Sequence, residues 1–501
     1  MSRDGVILVI DLGSQSLRGT VLNREGARLG GWSLPVLTRR EGPLTEQDPR
    51  EWGEGMERIL REVGRQTEWA SSLQAVAACG VLATAVPLGK NGQPLRRAIL
   101  YSDTRPARWL SEIENSTTFR RVRHSAGWRP FAGDLLPQVL WLAREEPDVY
   151  RRSHRILDST AYLNFLLTGA FSMDAYTRLS CYADPSAAEL PLDLLYELGL
   201  DAARFGSPVP VGSVIGTLRP GLAAACGLPQ CPVISVPYDS MTAYLGAGLR
   251  QEGDALDISG TVTSFGVAQP KPVIDPERRI YSIPLPENGG WLVRGSTAMA
   301  GGALEWARNT VFRAGFDELD LLVGSSPPGA NGVLFLPFLA GERAPLWNPD
   351  ARGVFFGLAA STTTGDLARA VYEGICFSLR HIQTVIESHG VGIGTVKLAG
   401  GLARNALLRR IKASVTGKTL MPFEDFELTT LGAASIAGRS IGWYCSAEEA
   451  ATILLRTGEP VMPDDWETEI YSRQFALYLR LVEQLSPLFQ PLDTFDPLPV
   501  R

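Results

Sequence analysis

The sequence predicts an α/β protein made of two lobes of about 250 residues each. Its length of 501 residues corresponds to about three average domains or to two large ones. Segments that alternate like strands are mixed with segments of helical periodicity throughout the chain. The second half also begins with the same order of strand, turn and strand as the first, which indicates a repeated unit.

The first lobe opens with a strand over residues 6–10, a turn over 11–16 and a second strand over 17–22. Asp48 and Pro49 then give a helix start, because Asp is a favoured N-cap residue and Pro is favoured in the first turn. The helix that follows places its apolar side chains on one face, and these are Trp52, Met56, Ile59, Leu60 and Val63.

Two buried strands are predicted next, over residues 73–81 and 233–237. The second of them leads through Tyr238 and Asp239 into a helix of small residues that ends near Gly246 or Gly248. We therefore expect the boundary between the lobes within residues 247–254.

The chain then repeats its opening, with a strand over 255–258, a turn over 259–264 and a strand over 265–268. Because strand, turn and strand is a common local pattern, this repeat alone leaves duplication open.

The C-terminal part predicts a helix over residues 466–485 that covers the core with its apolar face. The last residues, 491–501, are rich in Pro and predict a loosely ordered tail. The expected organisation is a first lobe of residues 1–248, a second of residues 249–490 and this tail.

Composition excludes several classes of function. The chain has 48 Lys and Arg against 54 Asp and Glu, and no basic block predicts nucleic-acid binding. No apolar run approaches the roughly 20 residues that a membrane span needs, and none predicts a signal peptide. The six cysteines form no C-x-x-C pair and the four histidines have no metal-ligand spacing, so we expect reduced thiols in a cytoplasmic protein.

Two common nucleotide motifs are also absent. No G-x-G-x-x-G follows a strand, and Gly417-Lys418-Thr419 lacks the earlier glycine of a P-loop because Lys412 stands there. Three turns of small residues remain after strands, at residues 11–16, 259–264 and 399–405. Their backbone N–H groups suit a phosphate, although each turn taken alone is more typical of a plain tight turn.

Six segments in order along the chain carry a family resemblance. They are Asp11-Leu12-Gly13-Ser14-Gln15-Ser16-Leu17-Arg18, Leu100 to Arg105, Pro237-Tyr238-Asp239-Ser240, Gly260-Thr261, Gly341 to Leu358, and Gly400 to Asn405 with Leu431-Gly432-Ala433-Ala434 downstream. Together they resemble the FGGY family of carbohydrate kinases, within the actin, hexokinase and Hsp70 ATPase superfamily.

The resemblance implies two ribonuclease-H-like lobes with a central cleft. The N-terminal lobe, 1–248, would bind sugar and phosphate, and the C-terminal lobe, 249–490, would bind ATP. The implied reaction passes the γ-phosphoryl group of ATP to a hydroxyl of a small sugar or polyol, with magnesium. Phosphoryl transfer asks a protein mainly for positioning, charge neutralisation and a base.

The family pattern assigns roles to individual residues. Asp239 is the implied general base, because a carboxylate at a strand-to-helix junction is favoured in its charged form by the helix N-terminus; its plain alternative is a helix N-cap. Asp11 would hold Mg²⁺, mainly through water. The implied phosphate and nucleotide residues are Gly13, Ser14, Gln15, Gly260, Thr261, Gly301, Glu305, Gly400, Gly401 and Asn405.

The resemblance places the acceptor near the segments 80–84 and 100–105. Its implied contacts are Ala83, Thr84, Tyr101, Asp103, Arg105 and Asp239. Arg105 fits equally well an ion pair that shapes its loop. Residues 81–84 read Val-Leu-Ala-Thr, without the Gln-Met-His-Gly usual in xylulokinases or the Asn-Gln-Arg-Glu-Thr usual in glycerol kinases. Arg410 and Ser414 stand where relatives often have Gln and Asp.

The sequence therefore predicts a cytoplasmic sugar kinase that acts on a ketopentose such as xylulose or ribulose. A glycerol- or erythritol-type polyol kinase and a sugar or nucleotide sensor without activity remain as alternatives. An ATPase that acts on protein partners is disfavoured by Asp103, Arg105 and the segment 341–358. A homodimer is an expectation from the family alone.

Overall fold

The structure is a computed structural model that describes residues 5–126, 129–183, 189–249, 251–285, 290–425 and 427–489. The predicted tail over residues 491–501 lies outside the described residues. No helix in the described part is long and apolar enough to cross a membrane.

The strands in chain order are β1 (Val6–Leu12), β2 (Ser16–Leu22), β3 (Arg28–Pro35), β4 (Thr38–Glu41), β5 (Leu44–Gln47), β6 (Leu73–Gly80), β7 (Val86–Leu88), β8 (Ala98–Ile99), β9 (Arg155–Leu157), β10 (Ser172–Asp174), β11 (Ser207–Val209), β12 (Val214–Thr217), β13 (Pro232–Ile234), β14 (Ala255–Ser259), β15 (Thr263–Gln269), β16 (Tyr281–Leu285), β17 (Gly290–Ser296), β18 (Leu334–Leu336), β19 (Val354–Phe356), β20 (Val396–Ala399) and β21 (Leu420–Pro422).

The α-helices in chain order are α1 (Pro49–Arg65), α2 (Thr67–Ser72), α3 (Leu110–Asn115), α4 (Thr117–Ala126), α5 (Leu135–Glu145), α6 (Pro147–Arg152), α7 (Ser159–Thr168), α8 (Ala175–Leu179), α9 (Leu192–Glu197), α10 (Pro220–Cys226), α11 (Asp239–Gly246), α12 (Gly301–Trp306), α13 (Phe316–Gly324), α14 (Thr364–Ser388), α15 (Ala406–Thr416), α16 (Leu428–Ser440), α17 (Ala447–Leu454) and α18 (Asp465–Leu485). Short 3-10 helices include Arg105–Trp109 and Gly401–Arg404.

The chain forms two compact units, and each contains one large mixed sheet. The first unit holds residues 5–248 and 427–455, and the second holds 249–425 and 456–489. The sequence predicts the second lobe as one continuous segment, 249–490, whereas residues 427–455 pack with the first unit. The reason is that α16 packs against α11, β1 and β6.

The sheet of the first unit has the strand order β12-β13-β6-β1-β2-β3. Strands β13, β6 and β1 run parallel, while β2 and β3 return antiparallel. The predicted opening of strand, turn and strand is confirmed by β1 and β2. Helix α1 is confirmed as well, since the Asp48 carboxylate accepts a hydrogen bond from the Arg50 N–H and the five predicted apolar side chains are buried.

The sheet of the second unit has the order β16-β17-β15-β14-β20-β21. Its strands β14, β20 and β21 run parallel, and β15, β17 and β16 follow antiparallel. Both sheets thus combine three parallel strands with an antiparallel extension beside the first strand of the unit, which agrees with the predicted repeat. Because the carboxyl ends of parallel strands meet at one edge, each sheet has an edge where loop residues converge.

Candidate functional site

Asp11 lies near the carboxyl end of β1 in the first unit, beside Cys79 of β6 in the parallel register. The Asp11 side chain is buried, and burial raises its pKa to about 6, while the Arg18 guanidinium 3.4 Å away acts in the opposite direction. The Cys79 thiol donates to the Ile10 carbonyl at 3.7 Å and to Asp11 Oδ1 at 3.9 Å. Asp11 is therefore a carboxylate held between a thiol and a guanidinium.

Asp239 is the first residue of α11, which follows β13. Its Oδ1 accepts a hydrogen bond from the Ser240 N–H at 2.6 Å, and its backbone oxygen accepts one from the Thr429 hydroxyl at 3.3 Å. The pKa of the Cys79 thiol lies well above its ordinary value. Burial is the main cause, and the negative charges of Asp11 and Asp239 add to it. Because β13, β6 and β1 run parallel, both predicted catalytic carboxylates follow or end strands at the same sheet edge.

The turn between β1 and β2 is closed by a hydrogen bond from the Gly13 N–H to the Ser16 carbonyl at 2.9 Å. The Ser14 carbonyl accepts from Gln47 Nε2 at 2.9 Å and from the Thr38 hydroxyl at 3.3 Å. Gln47 is fully buried, and its Oε1 accepts from Trp52 Nε1 at 3.1 Å. Sequence reasoning missed Gln47, because a glutamine next to a helix cap carries no specific signal.

The predicted acceptor loop after β6 is held by buried polar side chains. Gln138 of α5 donates to the Ala83 carbonyl at 3.2 Å and accepts from the Ala85 N–H at 2.8 Å. Ser159 donates to the Val81 carbonyl at 2.8 Å. The Ala83 and Thr84 side chains are buried, and the Thr84 hydroxyl donates to Val81 O at 3.1 Å. These hydrogen bonds therefore fix the loop backbone, and the Thr84 hydroxyl takes part by bonding within the loop.

The segment 100–105 is held by ion pairs and hydrogen bonds within the first unit. Asp103 is buried and accepts from the Thr45 N–H at 2.8 Å and from Arg105 Nη2 at 2.6 Å. Arg105 also binds Glu46 at 2.6 Å and lies 4.5 Å from the Trp141 ring centroid. These contacts match the ion-pair alternative for Arg105, and the acceptor role of Asp103 stays a prediction. Tyr101 is partly exposed.

In the second unit, the predicted phosphate turn lies between β14 and β15 and contacts the start of α12. The Gly301 N–H donates to the Gly260 carbonyl at 2.9 Å, and the Gly302 N–H donates to the Thr261 carbonyl at 3.0 Å. Gly400, at the end of β20, has φ of +84°, and a Cβ there would lie 2.5 Å from the Ser259 carbonyl oxygen. The structure therefore brings Gly260, Thr261, Gly301 and Gly400 together.

Asn405 caps α15, because its Oδ1 accepts from the Leu408 N–H at 2.7 Å. Its amide nitrogen donates to both Asp320 oxygens, at 2.9 and 3.0 Å, and the Tyr372 hydroxyl donates to Asp320 Oδ1 at 2.6 Å. Asp320 is therefore a further polar residue beside Asn405 that sequence reasoning missed.

Other predicted residues lie apart from these contacts. Glu305 is exposed and binds Arg308 and Asn309. Arg410 is exposed, whereas Ser414 is buried and accepts from the Asp464 N–H at 3.1 Å. The segment 431–434 belongs to α16, which lies in the first unit.

Two glycines of the predicted nucleotide turns leave open space where a side chain would be, as Gly221 and several other glycines also do. A Cβ atom added to Gly260 or to Gly401 would meet no protein atom within 4 Å, and neither has a positive φ. The fold itself therefore does not require glycine at these positions, whereas the close approach of a ligand would. Both cradles fit the predicted nucleotide.

The donor set also fits magnesium. Mg²⁺ keeps several waters and takes few protein carboxylates, so one buried carboxylate such as Asp11 beside substrate phosphates is sufficient. No group of three or more His, Cys, Asp or Glu among the described residues could hold a metal by itself. The prediction of a magnesium site therefore depends on Asp11.

Comparisons with known proteins cover nearly the whole chain. The models of the N-terminal and C-terminal domains of the FGGY family of carbohydrate kinases match residues 6–246 and 256–441. The chain is 27% identical to a xylulose kinase of Staphylococcus epidermidis over 98% of the chain and 99% of that protein. It is 25% identical to a gluconokinase of Bacillus licheniformis over 98% of each.

Among solved structures, a ligand-bound xylulose kinase from Lactobacillus acidophilus matches with a TM-score of 0.90 at 20% identity, over 97% of this chain and 99% of that one. This likeness confirms the predicted fold class of two ribonuclease-H-like α/β units.

Proposed function

The chain belongs to the FGGY family of carbohydrate kinases, and from this premise we propose that it transfers the γ-phosphoryl group of ATP to a hydroxyl of a ketopentose such as xylulose or ribulose. The observation that supports this most directly is the pair of carboxylates at one sheet edge. Asp11 lies near the carboxyl end of β1, and Asp239 follows the carboxyl end of β13, which runs parallel to β1 in the same sheet. Phosphoryl transfer needs a base for the acceptor proton and a negative group for the metal, and the two carboxylates match these two needs.

In this proposal Asp239 accepts the proton of the attacking hydroxyl. The helix N-terminus of α11 and the Ser240 N–H favour its charged form, in which it can act as a base. Asp11 holds magnesium, which would neutralise charge on the phosphates when bound. The Gly13 and Gly260 N–H groups close their own turns, so other backbone N–H groups of the turns 11–16 and 259–264 hold the phosphates. Gly401 and Asn405 flank the adenosine.

The acceptor class is supported by the relatives and by the loop after β6. Xylulose kinases are among the most similar curated proteins, and a gluconokinase matches over the same length. The loop offers backbone groups and buried side chains, with no His or Arg-Glu pair to orient a sugar. Gluconate and glycerol-type polyols are therefore the alternatives to a ketopentose. We also propose a cytoplasmic location and, from the family alone, a homodimer.

The test is an ADP-release assay with ATP and Mg²⁺ against ketopentoses, pentitols, glycerol, erythritol, hexuloses and gluconate. It is run with the parent protein, with Asp239→Asn and with Asp193→Asn. Asp193 is a matched control, because it also lies in the first turn of a helix but is highly exposed. We expect one acceptor to give turnover, which Asp239→Asn lowers at least ~100-fold while ATP still binds.

Near-parental turnover in Asp239→Asn would contradict the base assignment. Parental ATP binding with no turnover on any acceptor would favour the sensor alternative. Turnover on gluconate or on glycerol alone would keep the kinase and correct the acceptor.

A further inference from the structure

A buried ion pair lies beneath the phosphate turn of the second unit. Lys412 of α15 and Asp257 of β14 are both buried, with exposures of 4% and 0%, and Lys412 Nζ binds Asp257 Oδ2. Removing two charges from water is costly, and such a pair is often no more stabilising than apolar residues of the same size. General stability therefore does not explain why a strand end and a helix interior carry these charges.

The ion pair continues into the turn through a hydroxyl group. Lys412 Nζ donates to Ser259 Oγ at 3.1 Å, and the Ser259 hydroxyl donates to Asp257 Oδ1 at 2.6 Å. Ser259 Oγ also lies 2.9 Å from Thr263 Oγ1. The network thus holds both ends of the turn, because Ser259 precedes Gly260 and Thr263 begins β15.

The same turn supports the other predicted nucleotide segments. The Thr263 N–H donates to Thr297 Oγ1 at 3.1 Å, and the Thr297 N–H returns a bond to the Thr263 carbonyl at 2.9 Å. The start of α12 donates to the Gly260 and Thr261 carbonyls, and Gly400 packs directly on Ser259. A shift of Ser259 would therefore also move the start of α12 and the backbone at Gly400.

We propose that Lys412 and Asp257 are positioning residues that hold the turn 259–264 in the conformation that binds the phosphates of ATP. This inference rests on the proposed function. Both side chains are buried under the turn and act through the Ser259 hydroxyl and the backbone. A turn that is already ordered loses less conformational freedom when the nucleotide binds, so the affinity is higher.

Three variants separate positioning from stability. The double variant Lys412→Met with Asp257→Leu replaces the charges by apolar groups of similar size. Ser259→Ala leaves the ion pair and removes only its link to the turn. Arg369→Met with Glu373→Leu is a matched control, because this buried pair on α14 bonds to Tyr471, Ser326 and Gly329, which lie outside the turn.

The measurements are the melting temperature, the Kd for ATP with Mg²⁺ by calorimetry, and the KM for ATP and for the acceptor. We expect the first double variant to melt close to the parent but to bind ATP about tenfold more weakly, as the loss of one or two hydrogen bonds predicts. Its KM for ATP rises while the acceptor KM stays unchanged. Ser259→Ala shows a smaller loss of the same kind, and the control keeps the parental Kd.

Parental ATP affinity in the folded double variant would overturn this inference alone. If that variant does not fold, Ser259→Ala decides, because parental affinity there overturns the inference equally. No ATP binding by the parent protein would overturn the proposed function, and with it this inference.

Discussion

Gly246 of α11 and Gly432 of α16 pack so closely that a Cβ atom added to Gly246 would lie 2.3 Å from the Gly432 Cα. A Cβ added to Gly432 would in turn lie 2.1 Å from the Thr242 carbonyl oxygen. Since α11 begins at Asp239, the proposed base stands on a helix that is fixed by direct contact between two helix backbones. This contact also explains why residues 427–455 belong to the first unit.

Gly432→Ala is therefore expected to push α11 away and displace Asp239. Overpacking of this kind costs about 1–3 kcal/mol of unfolding free energy, and we expect kcat to fall more than the affinity for ATP. Denaturant unfolding and steady-state kinetics measure both effects. Gly221→Ala is the matched control, because Gly221 lies in α10 of the same unit with open space around its Cβ direction. Equal behaviour of the two variants would show that the packing does not position the base.

Gly260→Ala and Gly401→Ala are expected to fold normally but to bind ATP weakly. Neither position has a positive φ or a protein atom within 4 Å of an added Cβ, so only a ligand would meet the new methyl group. Gly400→Ala should instead lower the melting temperature, because its φ of +84° and the nearby Ser259 oxygen oppose a side chain. Melting curves with and without ATP and Mg²⁺ check this. Normal ATP-induced stabilisation in Gly260→Ala would place the phosphates elsewhere.

The local elements could be predicted because their signals are local. A short apolar run followed by a turn of small residues marks β1 and the start of β2, and capping with an apolar face marks α1. The membership of residues 427–455 could not be predicted, because it depends on the contact of Gly432 with a helix far away in the sequence. Neighbouring residues carry no trace of such a contact.

The candidate site likewise has features that the sequence predicts and features that it does not. The turns with Gly13, Gly260 and Gly400 were predictable because small residues after strands are a visible pattern. The hydrogen bonds of Asp103 with Arg105 and Thr45 could not be predicted, because a motif gives residue types but not the direction of a carboxylate. Single buried polar residues such as Lys412 interrupt an apolar pattern only once and give no signal of their partners.

Glu342 predicts a measurable pH dependence of stability. It is buried and accepts from the Ala298 N–H at 2.6 Å and from the Ser378 hydroxyl at 2.9 Å. Burial raises its pKa from 4.5 to about 7, with these hydrogen bonds acting in the opposite direction. Because the folded state binds the proton more tightly, this group stabilises the fold fully below pH 4.5, and the gain is lost as pH rises to about 7. The loss amounts to about 3 kcal/mol.

Glu342→Gln resembles the protonated form and should remove this contribution. We expect the unfolding free energy of the variant to change less between pH 4.5 and 7 than that of the parent, as measured by denaturant titration at each pH. Glu318→Gln, an exposed change on α13, serves as the control and should follow the parent. Parallel curves for Glu342→Gln and the parent would show that Glu342 does not titrate in this range.

We predict that acceptor binding depends on Gln138, which holds the backbone of the acceptor loop and does not itself contact the acceptor. Its amide joins α5 to the Ala83 carbonyl and the Ala85 N–H, and it is fully buried. Gln138→Leu keeps the volume and breaks both bonds, so the loop is free to shift. We expect the KM for the acceptor to rise about tenfold, with the KM for ATP unchanged. Gln383→Leu, a buried glutamine of α14 in the second unit, is the matched control for folding. An equal rise in both KM values would indicate a general loss of structure. Parental values for both would show that the loop backbone does not contribute to acceptor binding.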